Sequence, residues 1–134
     1  MKPLLTLILF LSLGIAAFGQ DYPDSGFTNK AEAKNLMVNG LKEGKWIEYA
    51  DDKGFTEDTT APYYLLIVYK KGKTFGITRL YVFGRLHDET PYVNGIPNGT
   101  EKTYNDDGTL RMIVTFRDGK RVKITDGTGK EIKQ

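Results

Sequence analysis

The sequence predicts an all-β protein of one domain, in which stacked hairpin repeats form an antiparallel meander and a short N-terminal helix or extended segment packs on the sheet. Two observations lead to this fold class. Glycine supplies 15 of the 134 residues, about 11 % against a usual value of about 7 %, and most of these glycines recur at fixed spacings. Between them, apolar and polar residues alternate with the period of two that is typical of half-buried strands.

The repeat consists of a large apolar residue, a glycine three residues later, a second glycine four residues after that and a tyrosine five residues further on. Three copies begin at Met37, Tyr69 and Tyr92, and a fourth begins at Phe116 but lacks the second glycine. The unit is therefore 23–24 residues long, and the first copy carries an insertion within residues 51–62. The repeat positions are Gly40, Gly44 and Tyr49; Gly72, Gly76 and Tyr81; Gly95, Gly99 and Tyr104; and Gly119.

Each position of the repeat has a physical reason. The first glycine follows Asn or Asp in three of the copies, and such dipeptides close antiparallel hairpins because they tolerate positive φ. We expect the second glycine to open the next strand and to leave room for a neighbouring aromatic ring over the backbone. We expect Tyr49, Tyr81 and Tyr104 to pack in register along one face, as core residues rather than as a ligand platform.

Residues 1–19 are predicted to be a signal peptide. Lys2 precedes an almost uninterrupted apolar run over residues 4–18, which is shorter than the roughly 20 residues of a membrane-spanning helix. Small residues close the run, as a signal peptidase requires, with cleavage after Gly19 or after Ala17. The predicted location is the periplasm, the cell envelope or the medium, and a lipoprotein is excluded because the chain has no cysteine.

The mature chain divides into an N-terminal segment over residues 20–36 and the repeat sheet over residues 37–134. Residues 30–36 have a helical composition, and Thr28 or Asn29 is available as the N-cap. The middle of the sheet is apolar on both faces, so one face needs a cover. The sequence leaves two covers open: the N-terminal segment or a second protomer.

The blocks 38–49 and 92–104 carry the repeat most fully, and they read VNGLKEGKWIEY and YVNGIPNGTEKTY. They resemble the MORN-repeat variant found in many secreted bacterial proteins, and the resemblance covers nearly the whole mature chain. It implies a curved antiparallel sheet of stacked hairpins and no catalytic residue. Some relatives are labelled putative antitoxins, and eukaryotic MORN proteins are associated with membranes and assembly. A signal peptide sits poorly with a cytoplasmic antitoxin role.

Charge excludes one class of partner. Without Lys2, 18 basic residues face 17 acidic ones, and the two signs are interleaved, which argues against nucleic-acid binding. The densest basic stretch is Lys70, Lys71 and Lys73. It fits either a solvated hairpin tip or weak attraction to a membrane surface.

Catalytic chemistry has few candidates. With no cysteine and one histidine, the chain excludes disulfides, a thiol nucleophile and a multi-histidine metal centre. Ser25 is the only serine of the mature chain and has no nucleophile elbow to pair it with His87. Strand alternation is expected to place Asp88 on the opposite face from His87 and Glu89. No catalytic residue, metal or cofactor is assigned.

The sequence therefore predicts a non-enzymatic, extracytoplasmic repeat scaffold that binds a protein, a glycan or another envelope component. Trp46 is either a core lid under the N-terminal segment or an exposed binding anchor. An alternative is a structural homo-oligomer, such as a dimer, formed through sheet edges or faces. Antitoxin-like partner binding and weak hydrolase activity are more distant alternatives. The candidate binding residues are Trp46, Arg79, Lys102, Lys70, Lys71 and Lys73.

Overall fold

The structure, a computed structural model, describes residues 22–133, so the predicted signal peptide lies outside the described residues. Within this range the chain folds into a single antiparallel sheet of ten strands. The strands are β1 (Leu36–Val38), β2 (Leu41–Asp51), β3 (Gly54–Thr56), β4 (Tyr63–Lys70), β5 (Lys73–Val82), β6 (Arg85–Val93), β7 (Ile96–Pro97), β8 (Gly99–Tyr104), β9 (Leu110–Arg117) and β10 (Lys120–Asp126).

The sheet follows the order of the chain, β1-β2-β4-β5-β6-β8-β9-β10, with β3 paired to β2 and β7 paired to β6. Neighbouring strands are antiparallel throughout. The predicted fold class, an all-β meander of hairpins, is confirmed. In the described range no helix is long and apolar enough to cross a membrane.

The hairpin turns at one end of the sheet repeat the same geometry. At each repeat turn the first residue has φ near +50° and the glycine has φ between +76° and +82°, as tight hairpins require. From the second repeat onward, the turn glycine also donates its N–H to the carbonyl of the residue two positions after the turn glycine of the preceding repeat. These bonds are Gly72 to Lys42, Gly95 to Thr74 and Gly119 to Pro97, each 2.9 Å long.

The second glycine of each repeat lies directly across the ladder from the aromatic residue that opens the next repeat. The pairs are Gly44 with Tyr69, Gly76 with Tyr92, and Gly99 with Phe116. We predicted that these glycines leave room for an aromatic ring, but no aromatic ring lies against them. A Cβ atom would meet nothing at Gly44, the Asp24 carbonyl oxygen at Gly76 and the Pro91 ring at Gly99. All three have positive φ, so the backbone conformation, rather than space for a ring, calls for glycine.

The two faces of the sheet differ in what packs on them. On the face that we call the covered face, Leu66 and Val68 of β4 are fully buried against Phe27 of the N-terminal segment. The other face, which we call the open face, carries Leu65 and Tyr69 of the same strand. The predicted need for a cover is met by the N-terminal segment, which packs on one face only.

The N-terminal segment contains less helix than its composition indicated. One turn of 3₁₀ helix spans Lys30–Glu32, and the Asn29 side chain caps it by accepting from the Ala31 N–H at 3.0 Å. The predicted helix over residues 30–36 does not continue, because Asn35 adopts φ +48° and hydrogen-bonds to β2. So short a segment gains more from pairing with the sheet than from further helical turns, since helix nucleation is costly.

The repeat tyrosines all point to the covered face, but only two of them join one aromatic row. Tyr64 lies between Tyr49 and Tyr81, with ring centroids 6.2 Å and 4.7 Å away, and its ring stacks parallel to that of Tyr81. Tyr104 instead donates its hydroxyl to Glu89 at 2.6 Å. The predicted row of aromatic rings therefore extends over β2, β4 and β5. At β8 the repeat tyrosine makes a polar contact instead.

Candidate binding groove

The open face carries a groove of about 910 Å³. Its floor comes from β2, β4, β5 and β6, and one wall comes from the insertion in the first repeat. Aromatic and aliphatic side chains supply most of the surface. The lining residues used below are Trp46, Glu48, Phe55, Ile67, Tyr69, Thr78 and Tyr92.

Trp46 lies at one end of this groove, on the face opposite Phe27. Its indole N–H donates to the carbonyl oxygens of Leu36 and Glu43, both at 3.1 Å, and its ring meets Tyr69 edge-on at 5.9 Å between centroids. The indole is half-buried. Trp46 is therefore not a lid beneath Phe27, and its fixed ring forms part of the groove surface.

An ion pair between Lys42 and Glu48 lies beside the Trp46 indole. Lys42 donates to Glu48, which also accepts the Tyr69 hydroxyl at 3.0 Å. The same ammonium lies 4.9 Å from the Trp46 ring centroid and 5.0 Å from that of Tyr69. Burial, followed by the Glu48 charge, raises the pKa of Tyr69 above its usual range. The polar end of the groove thus carries one positive and one negative side chain, and the positive one lies against the Trp46 and Tyr69 rings.

Thr78 lies at the groove floor and is 6 % exposed. Its hydroxyl oxygen has no hydrogen-bond partner among the described residues. Thr78 faces Thr90 across the ladder, on the open side of β5. Most buried hydroxyl groups in proteins are paired, but this oxygen has less than 1 Å² of accessible surface and is closed off from a ligand in the groove.

The insertion within residues 51–62 forms a wall of the groove. β3 folds back on β2, with Phe55 opposite Ala50, and Asp58 stabilises the following turn by accepting from the Thr60 N–H at 2.9 Å. Phe55 is 74 % exposed. Sequence reasoning missed Phe55, although an exposed aromatic residue in an insertion that the other repeats lack was a usable signal.

Farther along the open face, two half-buried carboxyl groups, those of Asp88 and Glu101, lie close enough to affect each other's charge. Burial raises the pKa of Asp88, and burial together with the Asp88 charge raises the pKa of Glu101. His87 and Arg121 oppose these shifts. His87 Nδ1 lies 3.3 Å from Asp88 Oδ2, because a register shift in β6 at this point interrupts the strict alternation that was expected to separate them.

Arg79, a predicted binding residue, is a structural clamp on the covered face. Its side chain is 11 % exposed. The guanidinium donates to Glu89 at 2.9 Å, to the Ser25 carbonyl at 2.7 Å and to the Phe27 carbonyl at 3.2 Å. These bonds tie the N-terminal segment to β5 and leave Arg79 away from the groove.

The predicted basic residues do not form one site. Lys70, Lys71 and Lys73 are exposed at the β4–β5 hairpin, where the Lys71 N–H donates to the buried Glu43 at 2.9 Å. Lys70 extends over the Tyr22 and Phe75 rings on the covered face. Lys102 lies on β8, exposed to solvent. The hairpin tip is thus a charged turn that also helps to fasten the N-terminal segment.

Comparison with known proteins gave no match to a family model, to a curated protein or to a solved structure. Within residues 22–133, no three histidine, aspartate or glutamate side chains converge as a group that could hold a metal ion. The assignment of function therefore rests on the groove and on the sequence.

Proposed function

We propose that this protein is an exported, non-catalytic repeat scaffold that binds its ligand in the groove of the open face. The observation that carries the proposal is the groove itself: aromatic residues of three strands and of an insertion line it, beside one ion pair. Ligand sites in proteins combine mostly apolar and aromatic walls with a few placed polar groups in this way. The MORN-like repeat supplies the rigid sheet on which these groups stand.

At the β2 edge of the sheet, backbone groups that a strand-paired oligomer would use are already bonded. Along β2, Lys45 accepts from the backbone N–H groups of Lys34 and Asn35, and the Asn35 side chain bonds both the N–H and the carbonyl of Ile47. β1 and β3 pair with the remaining ends of β2. An edge whose backbone groups are already bonded offers little for a second copy to extend.

The scaffold role is tested by locating bound probes on the surface. Residues 20–134 would be labelled with ¹⁵N and titrated with three probes: cellotetraose, tetra-alanine and vesicles of phosphatidylglycerol with phosphatidylethanolamine. We expect at least one probe to shift the amide signals of Leu65, Ile67 and Thr78, since these line or adjoin the groove floor. Shifts confined to other surfaces, or none with any probe, would overturn the proposed binding site.

Export is tested separately with the full chain. Expressed in a bacterial host and fractionated, it should accumulate outside the cytoplasm with a mass that corresponds to a new N-terminus at Gln20 or Phe18. Replacing Leu9 and Leu11 by aspartate should block this processing, because the apolar run is what the export machinery reads. Uncleaved wild-type protein retained in the cytoplasm would contradict the predicted signal peptide.

A further inference from the structure

We infer that this protein associates head to tail with a second copy of itself, through the two opposite ends of its sheet. One end, which we call the basic end, includes the turns β4–β5, β6–β7 and β9–β10. The other, which we call the acidic end, includes the turns β2–β3, β5–β6 and β8–β9 together with the insertion that follows β3. The inference does not depend on the groove, because it concerns a different surface.

The sign of the charges at the two ends is the first argument. Acidic and basic residues interleave along the sequence, but the fold separates them. The turns of the basic end hold one acidic residue, Asp118, and five exposed basic ones, which are Lys70, Lys71, Lys73, Arg117 and Lys120. The acidic end holds two basic residues, Lys53 and Arg85, and six acidic ones, which are Asp51, Asp52, Glu57, Asp58, Asp106 and Asp107.

These end charges have no ionic partner within the molecule. The ion pairs among residues 22–133 join Lys42 to Glu48, Lys45 to Glu32, Arg79 to Glu89 and His87 to Asp88. None of them includes a charge from either set of turns. Each end therefore presents an unbalanced charge to its surroundings, and the two ends have opposite signs.

The spacing of the charged turns is the second argument. In the order of the sheet, four strand spacings separate the β4–β5 turn from the β9–β10 turn at the basic end. Four strand spacings also separate β2, which ends at Asp51, from β8, which leads into Asp106 and Asp107 at the acidic end. Neighbouring strands lie about 4.8 Å apart, so both distances along the sheet are about 19 Å. Two charged turns of one copy can therefore meet two of the next copy at once.

Exposed apolar side chains between the charged turns are the third argument. At the basic end, the β6–β7 turn presents Val93 and Ile96, which are 49 % and 48 % exposed. At the acidic end, the β5–β6 turn presents Phe83, which is 78 % exposed. Each of these turns lies between the two charged turns of its own end. An apolar centre flanked by charges is a common arrangement in protein interfaces.

The backbone of Phe83 shows that local folding does not call for this residue. Its φ is +48°, a conformation that bulky side chains rarely adopt. Asparagine or glycine suits such a hairpin position better, and the exposed ring adds little to the core. Strained positions of this kind cluster at functional sites, which is consistent with a contact made by the ring outside the molecule.

The match between the two ends favours a second copy over other partners. An anionic polymer or membrane would use the basic end and leave the acidic end and Phe83 without a role. A second copy uses both ends, and side chains rather than strand pairing make the contact, so the bonded edge of β2 does not oppose it. Because the contact joins two different surfaces, it can repeat from copy to copy in an open chain.

The test measures the association of residues 20–134 by sedimentation velocity over a wide range of protein concentration. The salt concentrations are about 0.01 M and about 1 M, where the Debye length is about 30 Å and about 3 Å. We expect dimers and longer species at low salt that dissociate at high salt. A monomer at every concentration at low salt would overturn the inference, and if that monomer cosedimented with phosphatidylglycerol vesicles, the basic end would belong to a membrane instead.

Two charge-reversed variants identify the surfaces. Lys71→Glu combined with Lys73→Glu changes the basic end, and Asp52→Lys combined with Asp106→Lys changes the acidic end; all four side chains are exposed. Each variant alone should remain a monomer at low salt. An equimolar mixture of the two should associate again, because each supplies the end that the other lacks. Association that survives in both variants, or a mixture that stays monomeric, would overturn the inference.

Controls separate this contact from general effects of charge and exposure. Lys34→Glu combined with Lys102→Glu reverses two exposed lysines away from both ends and should leave association as in the wild type. Phe83→Asn should weaken association several-fold without loss of stability, since asparagine suits the turn. Phe55→Ala, at an exposed residue of the groove wall, should not weaken it. Equal weakening by all three would mean that the ends have no special part in association.

Discussion

The two faces of strand β4 experience different surroundings although their residues alternate along one backbone. On the covered face, Leu66 and Val68 are completely buried beneath Phe27. On the open face, Leu65 and Tyr69 remain half-buried and line a groove. Both faces are apolar and aromatic, so hydrophobicity does not distinguish core from site. What distinguishes them is whether another segment of the chain packs on the face.

The contrast also extends to polar groups. On the covered face, the charged side chains are bonded to their neighbours: Glu43 accepts from Tyr22 at 2.6 Å and from the Lys71 N–H, and Arg79 holds two carbonyls of the N-terminal segment. On the open face, Thr78 has no such partner among the described residues. The open face also holds bonded charges, Lys42 with Glu48, so what sets the covered face apart is that its polar bonds join the N-terminal segment to the sheet.

The largest expected effect compares adjacent leucines. Leu66→Ala should lower the free energy of unfolding by about 2–5 kcal/mol, because it leaves a cavity in a filled core. Leu65→Ala on the open face should cost less than half as much, since solvent already reaches that site. Denaturant unfolding of both variants measures the difference. Equal losses would mean that the open face is packed as tightly as the covered one.

The next effect concerns the clamp. Arg79→Met keeps the bulk of the side chain but removes its bonds to Glu89 and to the N-terminal segment, and should cost about 2–3 kcal/mol, as expected for hydrogen bonds of a charged group. Its control is Arg85→Met, because Arg85 makes a 3.4 Å contact to the Asp106 carbonyl at the surface. Limited proteolysis should cut the Arg79 variant first near Phe27. A fully protected N-terminal segment in that variant would show that Phe27 alone holds it.

The smallest effect depends on pH. Burial raises the pKa of Asp88, so the folded state keeps its proton to a higher pH than the unfolded state does. The stability that this group contributes is present below its ordinary pKa and is lost as the pH rises through the raised one. Asp88→Asn should therefore resemble wild type near about pH 4 and be more stable than wild type near about pH 7.

A matched variant gives the opposite sign. The side-chain and backbone hydrogen bonds from Thr60 lower the pKa of the exposed Asp58, so its contribution is lost as the pH falls through the lowered value. Asp58→Asn should be slightly less stable than wild type at neutral pH. Thermal unfolding across the pH range measures both variants, and a neutral-pH loss of stability in Asp88→Asn would contradict the burial argument.

Much of the fold follows from the sequence because its signals are local. A tight hairpin turn needs positive φ, so glycine marks it, and repeated spacing then fixes the register of successive hairpins. The Gly72, Gly95 and Gly119 bonds realise that spacing. The helix over residues 30–36 failed as a prediction because Asn35 bonds to Ile47 on β2, a contact that composition alone does not show.

The candidate site was harder to predict because it depends on residues far apart in the chain. Of the predicted binding residues, Trp46 lies in the groove, whereas Arg79 holds Ser25, 54 residues away in the sequence. Phe55 and Thr78 were not selected at all. A threonine in a strand carries no sign of its partners until its neighbours are placed.

The amino-acid sequence by itself therefore determined the strands, the turns and the repeat register, since each rests on the conformation of a few consecutive residues. Only the tertiary structure decided which apolar face becomes core. The N-terminal segment can cover one side of the sheet, and Phe27, Arg79 and Glu43 fix that side. The groove is the face that remains.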